Sequence, residues 1–249
     1  MIEIRLIAVR GIPEIAAGDD LGLLIARAAR AMGLELADKD IIVIAQKIIS
    51  KAEGRVLRLN SITPSTLARE WAALYDKDAR MVEAVLTESR RVVRMERGVI
   101  ISETRHGFVC ANAGVDASNV QEDTITLLPE DPDGSARRVQ AALGREFKAS
   151  LAVIISDTFG RPWREGIANV AIGVAGIAPL IDYRGQMDSF GRPLRVTIIA
   201  VADELASAAE LVMQKSAAIP VVIIRGFDYE AREASARELI RPPEQDLFR

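Results

Sequence analysis

The stretch AVIISDTFGRPWREGIANVAIGVAG, from Ala152 to Gly176, decides how this chain is to be read. Val153, Ile154 and Ile155 are a short run of β-branched apolar residues, the pattern of a buried strand. Ser156, Asp157 and Thr158 then place three oxygen-bearing side chains where that strand is expected to end, and Gly160, Arg161, Trp163, Arg164 and Gly166 follow as a loop. A carboxylate and a hydroxyl so close to two guanidinium groups suit a divalent cation on Asp157 and Thr158, with the arginines meeting phosphate or carboxylate oxygens in bidentate fashion. The same residues also fit an Asx-turn flanked by surface arginines, so on this stretch alone both readings stand.

Working outward, the 249 residues allow one large domain or two intimately joined ones. Only 4% are aromatic, so the core must be built from Ala, Val, Ile and Leu. A formal net charge of -3 gives no global attraction to nucleic acid or to an anionic membrane, and any polyanionic ligand must meet a local basic cluster. Cys110 is the single cysteine and excludes an intrachain disulfide. The longest apolar run, Val170 to Ile181, has 12 residues and contains Gly173, Gly176 and Pro179, too short for a bilayer. The opening MIEIRLIAVRG lacks the continuous apolar core of a signal peptide. A cytoplasmic protein with no membrane and no nucleic-acid partner is expected.

Toward the N-terminus, Ile2, Ile4 and Leu6 alternate as an opening strand, and Asp19 is expected to cap a helix that ends at Gly33. Ile41 to Ala45 reads as a second buried strand, followed by Gln46 to Arg55 with Lys47 and Lys51 close behind it. Lysines there can serve a phosphate, or simply be solvated. Thr63-Pro64 starts a helix carrying Trp71 on its apolar stripe, and a second helix spans about Asp78 to Arg90. His106 is the only histidine, which with one cysteine rules out a His-rich zinc site. Residues 112 to 119 form a polar loop of small residues in which Asp116 is a second candidate metal carboxylate and Asn119 a neutral hydrogen-bonder.

Ser135 is expected to cap a helix with Val139, Ala142, Leu143 and Phe147 on its apolar face, and Asp182 to Arg192 is a glycine-marked candidate substrate loop. Val196 to Ala202 reads as a strand, Asp203 as the cap of a helix to Met213, Val221 to Ile224 as the last strand, and the chain from Tyr229 as a peripheral helix and tail. The fold class is therefore mixed α/β (α+β).

Asp116, Asp157 and Thr158, and the cations Lys47, Lys51, Arg161 and Arg164, are far apart in sequence yet all follow predicted strands. Phosphoryl transfer needs that division of labour, with carboxylates fixing hard cations and basic groups offsetting charge on the moving group. Neither the GxxxxGK[ST] loop nor GxGxxG is present. The residues by themselves point to a metal-dependent enzyme of phosphate or carboxylate chemistry.

Taken together, GIPE from Gly11 with GDDL from Gly18, AQKIISKAEGR from Ala45, NAGVDASN from Asn112, LLPEDPDGSA from Leu127, SDTFGRPWREG from Ser156 and VADELASAAELVM from Val201 resemble the coenzyme F420-0:L-glutamate ligase family, also called gamma-glutamyl ligase or CofE. The resemblance spans about residues 1–227 of one ligase region covering 1–249, with 228–249 as a peripheral C-terminal segment. It implies the family's CofE-like fold of closely packed subdomains in an intertwined homodimer. It also implies a GTP-dependent ligase joining L-glutamate to F420-0, with possible γ-linked extension, that uses magnesium or manganese, two ions per site, together with potassium.

By motif position, Asp116 and Asp157 would bind one divalent ion and Thr158 a second. Ile12, Pro13, Glu14, Ile15, Gln46, Lys47, Lys51 and Asn119 would line the nucleotide site near the subunit interface, joined by Met213, Gln214 and Lys215. Lys51, Arg161 and Arg164 would offset charge during phosphoryl transfer. One segment departs from the pattern: MQKSAAIP stands where many members have Met-Gly and a longer loop, and a second-metal ligand supplied there in some relatives would fall near Lys215, which cannot serve. Two other readings remain: a ligase of the same fold acting on a different carboxylate, and a nucleotide-binding regulator without catalysis.

Overall fold

Three runs of branched apolar residues, IIVIA, AVIIS and VVIIR, lie side by side at the centre of the protein and are almost wholly buried. Strands covered on both faces need such continuous apolar runs, because neither face meets water. The computed structural model describes residues 3–247; Ile2, read above as part of the opening strand, lies outside the described residues.

In chain order the strands are β1 (Arg5–Ala8), β2 (Ile41–Ala45), β3 (Val56–Arg58), β4 (Ser89–Glu96), β5 (Val99–Thr104), β6 (Val109–Ala111), β7 (Thr124–Thr126), β8 (Ala152–Arg161), β9 (Arg164–Ala175), β10 (Ile181–Asp182), β11 (Ile198–Ile199) and β12 (Val221–Arg225). The helices are α1 (Leu21–Ala31), α2 (Gln46–Ala52), α3 (Thr66–Tyr75), α4 (Ala79–Glu88), α5 (Pro132–Phe147) and α6 (Val201–Met213). The mixed α/β class is as expected. The main sheet has the order β1-β12-β2-β8-β9; only β2 and β8 run parallel, and the other neighbours are antiparallel. α5 and α6 pack on it, and α1 packs on α5. A second apolar cluster, drawn from Leu59 to Leu127 and including Trp71, Val82, Val85 and Ile100, is built from the chain that runs from the end of β3 to just past β7.

The deciding stretch differs from its sequence reading. β8 does not stop at Ile155; it runs on to Arg161 and pairs with β9, placing Asp157 opposite Val170 and Thr158 opposite Asn169. β2 ends at Ala45, opposite Ser156, so the rest of the β8–β9 hairpin extends beyond the parallel neighbour. Backbone pairing with β9 suffices to keep polar residues extended, and the polar side chains that looked like a strand end lie inside a longer one. Pro162 and Trp163 make the turn, with Trp163 at φ 55.

Other boundaries shift for local reasons. Asp20, not Asp19, caps α1 by accepting from Leu23 N at 3.0 Å, while Asp19 accepts from Ala16 N and closes the preceding turn. Ser65 caps α3, so Pro64 precedes that helix. Asp131, not Ser135, caps α5, with Pro132 in its first turn. The strand expected over Val196 to Ala202 shrinks to β11, since α6 begins at Val201 and Asp203 falls inside its first turn.

The C-terminal segment forms two 3-10 turns among the described residues rather than the expected helix, and two points of it are tied to the core. Tyr229 and Ala236 are buried, and Asp133 of α5 accepts from Ala236 N and from Ser235 Oγ. Among the described residues no helix is long and apolar enough to cross a membrane.

Candidate functional site

β2 passes directly into α2, which puts Lys47 and Lys51 one helical turn apart on one face. That face looks onto the loop from Asp116 to Asn119. The loop is anchored where Asp116 bridges to Thr126, with N···O distances of 3.0 and 2.8 Å in the two directions. Lys47 Nζ lies 2.8 Å from Asp116 Oδ2 and donates to Ser118 Oγ at 2.6 Å and to Ser118 O at 2.9 Å. Lys51 Nζ donates to Glu14 Oε1 and, at 3.1 Å, to Asn119 O. Each ammonium group thus has its own carboxylate, Asp116 for Lys47 and Glu14 for Lys51, and both are tied to the 116–119 loop.

Asp157 is brought to the same place. Burial pushes its carboxyl up to about 6, the charge of Asp116 pushes in the same direction, and the Thr158 N–H, Lys47 and Lys215 oppose it. Burial also pushes Asp116 upward, but the bonds from Lys47 and Ser118 outweigh it and hold this group below the ordinary carboxylate range. The two aspartates, from a loop and from mid-strand, are therefore electrostatic neighbours. Cys110 also feels Asp157: burial first and that charge second push the thiol up to about 12.

Thr158 belongs to an adjoining cluster. Its hydroxyl donates to Asn169 Oδ1 at 2.7 Å and accepts from Lys215 Nζ at 2.7 Å. Lys215 also pairs with Glu210 at 3.2 Å, and Asn169 Nδ2 donates to Glu210 Oε2 at 3.1 Å. Asn169 and Glu210 were not singled out in the sequence. The available signal for Asn169 is a lone amide in an otherwise apolar strand; for Glu210 nothing distinguishes it from an ordinary helix-surface acid.

The remaining expected residues divide. Ile15 and Met213 are core side chains, and Gln46 is buried with its Oε1 accepting from Ser50 Oγ at 2.7 Å. Ile12 is half-buried against the core, whereas Pro13, Glu14 and Asn119 are exposed beside the lysines. Gln214 ends α6 at φ 52 and ψ 152, a backbone region that glycine favours. Arg161 and Arg164 face each other at the exposed tip of the β8–β9 hairpin, where Arg161 donates to Glu165 O. At about 3.3 Å per residue the tip is roughly 13 Å beyond Asp157, so a single chain does not bring these arginines to the carboxylates.

A hard divalent cation suits part of this arrangement. Two carboxylates feel one another's charge, and Asp157 is raised first by burial and then by Asp116, a strain that a bound cation would relieve. Asp116 Oδ1 meets only the Ser118 N–H among the contacts described, leaving a lone pair free. No group of three His, Cys, Asp or Glu side chains poised for a metal occurs among the described residues, so further ligands must come from substrate phosphates or water. Thr158 does not fit a second ion, because Lys215 already occupies its hydroxyl.

The profile described as F420-0:Gamma-glutamyl ligase matches residues 11–226. The chain belongs to that family. Within the F420-0:gamma-glutamyl ligases it is similar to a protein named Coenzyme F420:L-glutamate ligase from Methanothermobacter thermautotrophicus, 51% identical over 249 residues and covering 99% of each chain. Proteins of the same name from Methanopyrus kandleri and Archaeoglobus fulgidus are 46% and 40% identical, covering 95% and 100% of this chain and 94% and 97% of their own. An F420-0:gamma-glutamyl ligase is an enzyme, which sets aside the non-catalytic regulator.

Proposed function

We propose that the chain joins L-glutamate to coenzyme F420-0 through an amide bond, with possible γ-linked extension, using GTP and passing through an acyl phosphate. The reading rests on one observation: Asp116, paired with Lys47, and Asp157 of β8 act on one another electrostatically beyond the end of β2, in a chain of this family. A free carboxylate does not react with an amine because an oxide-like oxygen is a poor leaving group. In the first step a substrate carboxylate oxygen forms a bond to the γ-phosphorus and the β–γ bridge breaks, releasing GDP. In the second, the glutamate amine bonds to the acyl carbon, inorganic phosphate departs and the amine loses a proton.

The lysines supply positive charge where the phosphates lie, with Lys51 exchanging Glu14 for a phosphate oxygen. Asn119 and the segment from Ile12 to Ile15 border the same place. Asp116 and Asp157 would hold a magnesium or manganese ion, whose bound charge would neutralise and orient the triphosphate. Potassium remains part of the reading as a cation that the anionic substrates bring in.

We also place the enzyme in the cytoplasm and read it as a homodimer. The hairpin tip carries exposed Trp163 and Ile167 together with both arginines, and a partner subunit would give this projection a site to complete. The deciding experiment incubates the full chain with GTP, L-glutamate, F420-0 and manganese. The expected product is F420-0 heavier by one glutamyl residue, with GDP release dependent on both acceptors, and neither occurring with Asp157→Asn. Glutamylation of another carboxylate in preference to F420-0 would select the alternative ligase, and near-normal turnover by Asp157→Asn at saturating metal would refute the metal-ligand role.

A further inference from the structure

Lys215 stands where the family pattern leads one to expect help for a second metal ion, and its surroundings show what it does instead. Its ammonium carries three N–H donors, and three oxygens receive them: Thr158 Oγ1 at 2.7 Å, Glu210 Oε1 at 3.2 Å and Asn169 Oδ1 at 3.4 Å. These are a hydroxyl, a carboxylate and an amide carbonyl, the donor set a hard cation takes. Each oxygen is also fixed in its sense. Thr158 gives its own hydrogen to Asn169 Oδ1, so its lone pairs are turned to the ammonium. Asn169 is buried, and its Nδ2 donates to Glu210 Oε2, which settles which end of the amide faces Lys215.

The backbone just before the lysine is bent to the same purpose. Gln214, at φ 52 and ψ 152, holds a conformation that an L side chain rarely adopts, while its N–H still bonds to Glu210 O at 3.1 Å. That turn takes the chain off the end of α6 and returns Lys215 to β8 and β9.

We infer that the Lys215 ammonium is the second cation of this site, a tethered charge seated on Thr158, Asn169 and Glu210, so that each site takes one divalent ion rather than two. The inference rests on the proposed reading of Asp116 and Asp157 as the ligands of that one ion. A divalent ion on Thr158 would have to expel an ammonium already bonded there, or sit beside it against its charge. The lysine brings one charge where a free ion would bring two, and it cannot be removed by a chelator. The charge near Thr158 therefore persists when the metal is lost.

The test counts ions. Full-length protein with a non-hydrolysable GTP analogue is titrated with manganese, and free Mn2+ is followed by its paramagnetic resonance signal. One bound ion per chain is expected, lost in Asp157→Asn. Lys215→Met should open the three oxygens and bind two, the second at least about tenfold more tightly than any second ion in the wild type. Lys215→Arg, which keeps the charge, should bind one. The Lys215 side chain is 58% exposed, so these variants should fold. Two ions in the wild type, or one in Lys215→Met, would overturn the inference while leaving the Asp116–Asp157 ion intact. No bound ion in the wild type would overturn the metal-site reading and this inference with it.

Discussion

Asp157 is a charge kept where the fold would be more stable without it, and Asp157→Asn measures the difference. The side chain of Asn has nearly the same shape and retains an oxygen for the Thr158 N–H. In the metal-free protein, burial and the charge of Asp116 raise the carboxyl from 3.8 to about 6. At 1.36 kcal/mol per pH unit, that shift costs the folded state on the order of 3 kcal/mol once the group is ionised. For a chain of this length, 1 kcal/mol moves the melting temperature by about 2–4 °C, so the Asn variant should melt about 6–12 °C higher.

The sign follows from proton binding. Between the unfolded value of 3.8 and the folded value of about 6 the unfolded state holds fewer protons, so wild-type stability falls as pH rises through that window. The advantage of Asn should be complete at about pH 8 and gone by about pH 3, below the unfolded value. Thermal unfolding with excess chelator at both pH values is the assay. Saturating manganese should then reverse the order at the higher pH, since only the wild type has the ion to bind. An Asn variant no more stable than wild type at about pH 8 in chelator would refute the placement of Asp157 as a half-buried, under-compensated charge.

Asp133→Ala should cost about 2–6 kcal/mol in urea denaturation, because it strips acceptors from Val174 N and Ala236 N, each worth about 1–3 kcal/mol when left unpaired; a loss under about 1 kcal/mol would contradict it. Amide exchange should also show the segment after Asp228 released in that variant. Cys110, pushed up to about 12 by burial and Asp157, should not react with iodoacetamide in the native protein near neutral pH and should react fully in urea; native labelling at the rate of a free thiol would refute this. Arg164→Ala should leave stability within about 0.5 kcal/mol, since the residue is exposed. If the hairpin tip serves the partner's site, mixing Arg164→Ala with Asp157→Asn subunits should restore roughly a quarter of wild-type turnover; no recovery after verified subunit exchange would place the arginine outside that site.

What the sequence made legible is what local patterns control. Runs such as IIVIA and VVIIR are buried on both faces whatever surrounds them, and so β2 and β12 are readable from composition alone. Asp157 could be singled out because it follows such a run and Asp116 because it sits in a polar loop of small residues, and the charge of Asp116 is felt at Asp157. The length of β8 was not readable. Its last residues, SDTFGR, are extended because REGIANVA of β9 lies alongside, and pairing between strands leaves no mark in the polar strand itself. The difference bears on chemistry. A loop over Gly160 to Gly166 leaves Arg161 and Arg164 close to Asp157, whereas the extended hairpin sets its tip about 13 Å beyond that residue at the strand's rise per residue.

Lys215 shows the complementary limit. As a departure from the family's segment it was visible as a residue unable to ligate a metal, and that much followed from its chemistry. What could not be seen is that its partners, Asn169 and Glu210, come from two different elements and that Thr158 lies in a strand rather than a loop. A lysine in a loop would swing freely. A lysine facing two neighbouring elements finds three oxygens in fixed positions, and its positive charge becomes part of the site's geometry. The distinction between a lost ligand and a substituted cation therefore rests on the pairing of β8 with β9. Shortening that hairpin, more than changing any one of its charges, would be expected to dissolve both the Thr158 cluster and the placement of Asp157.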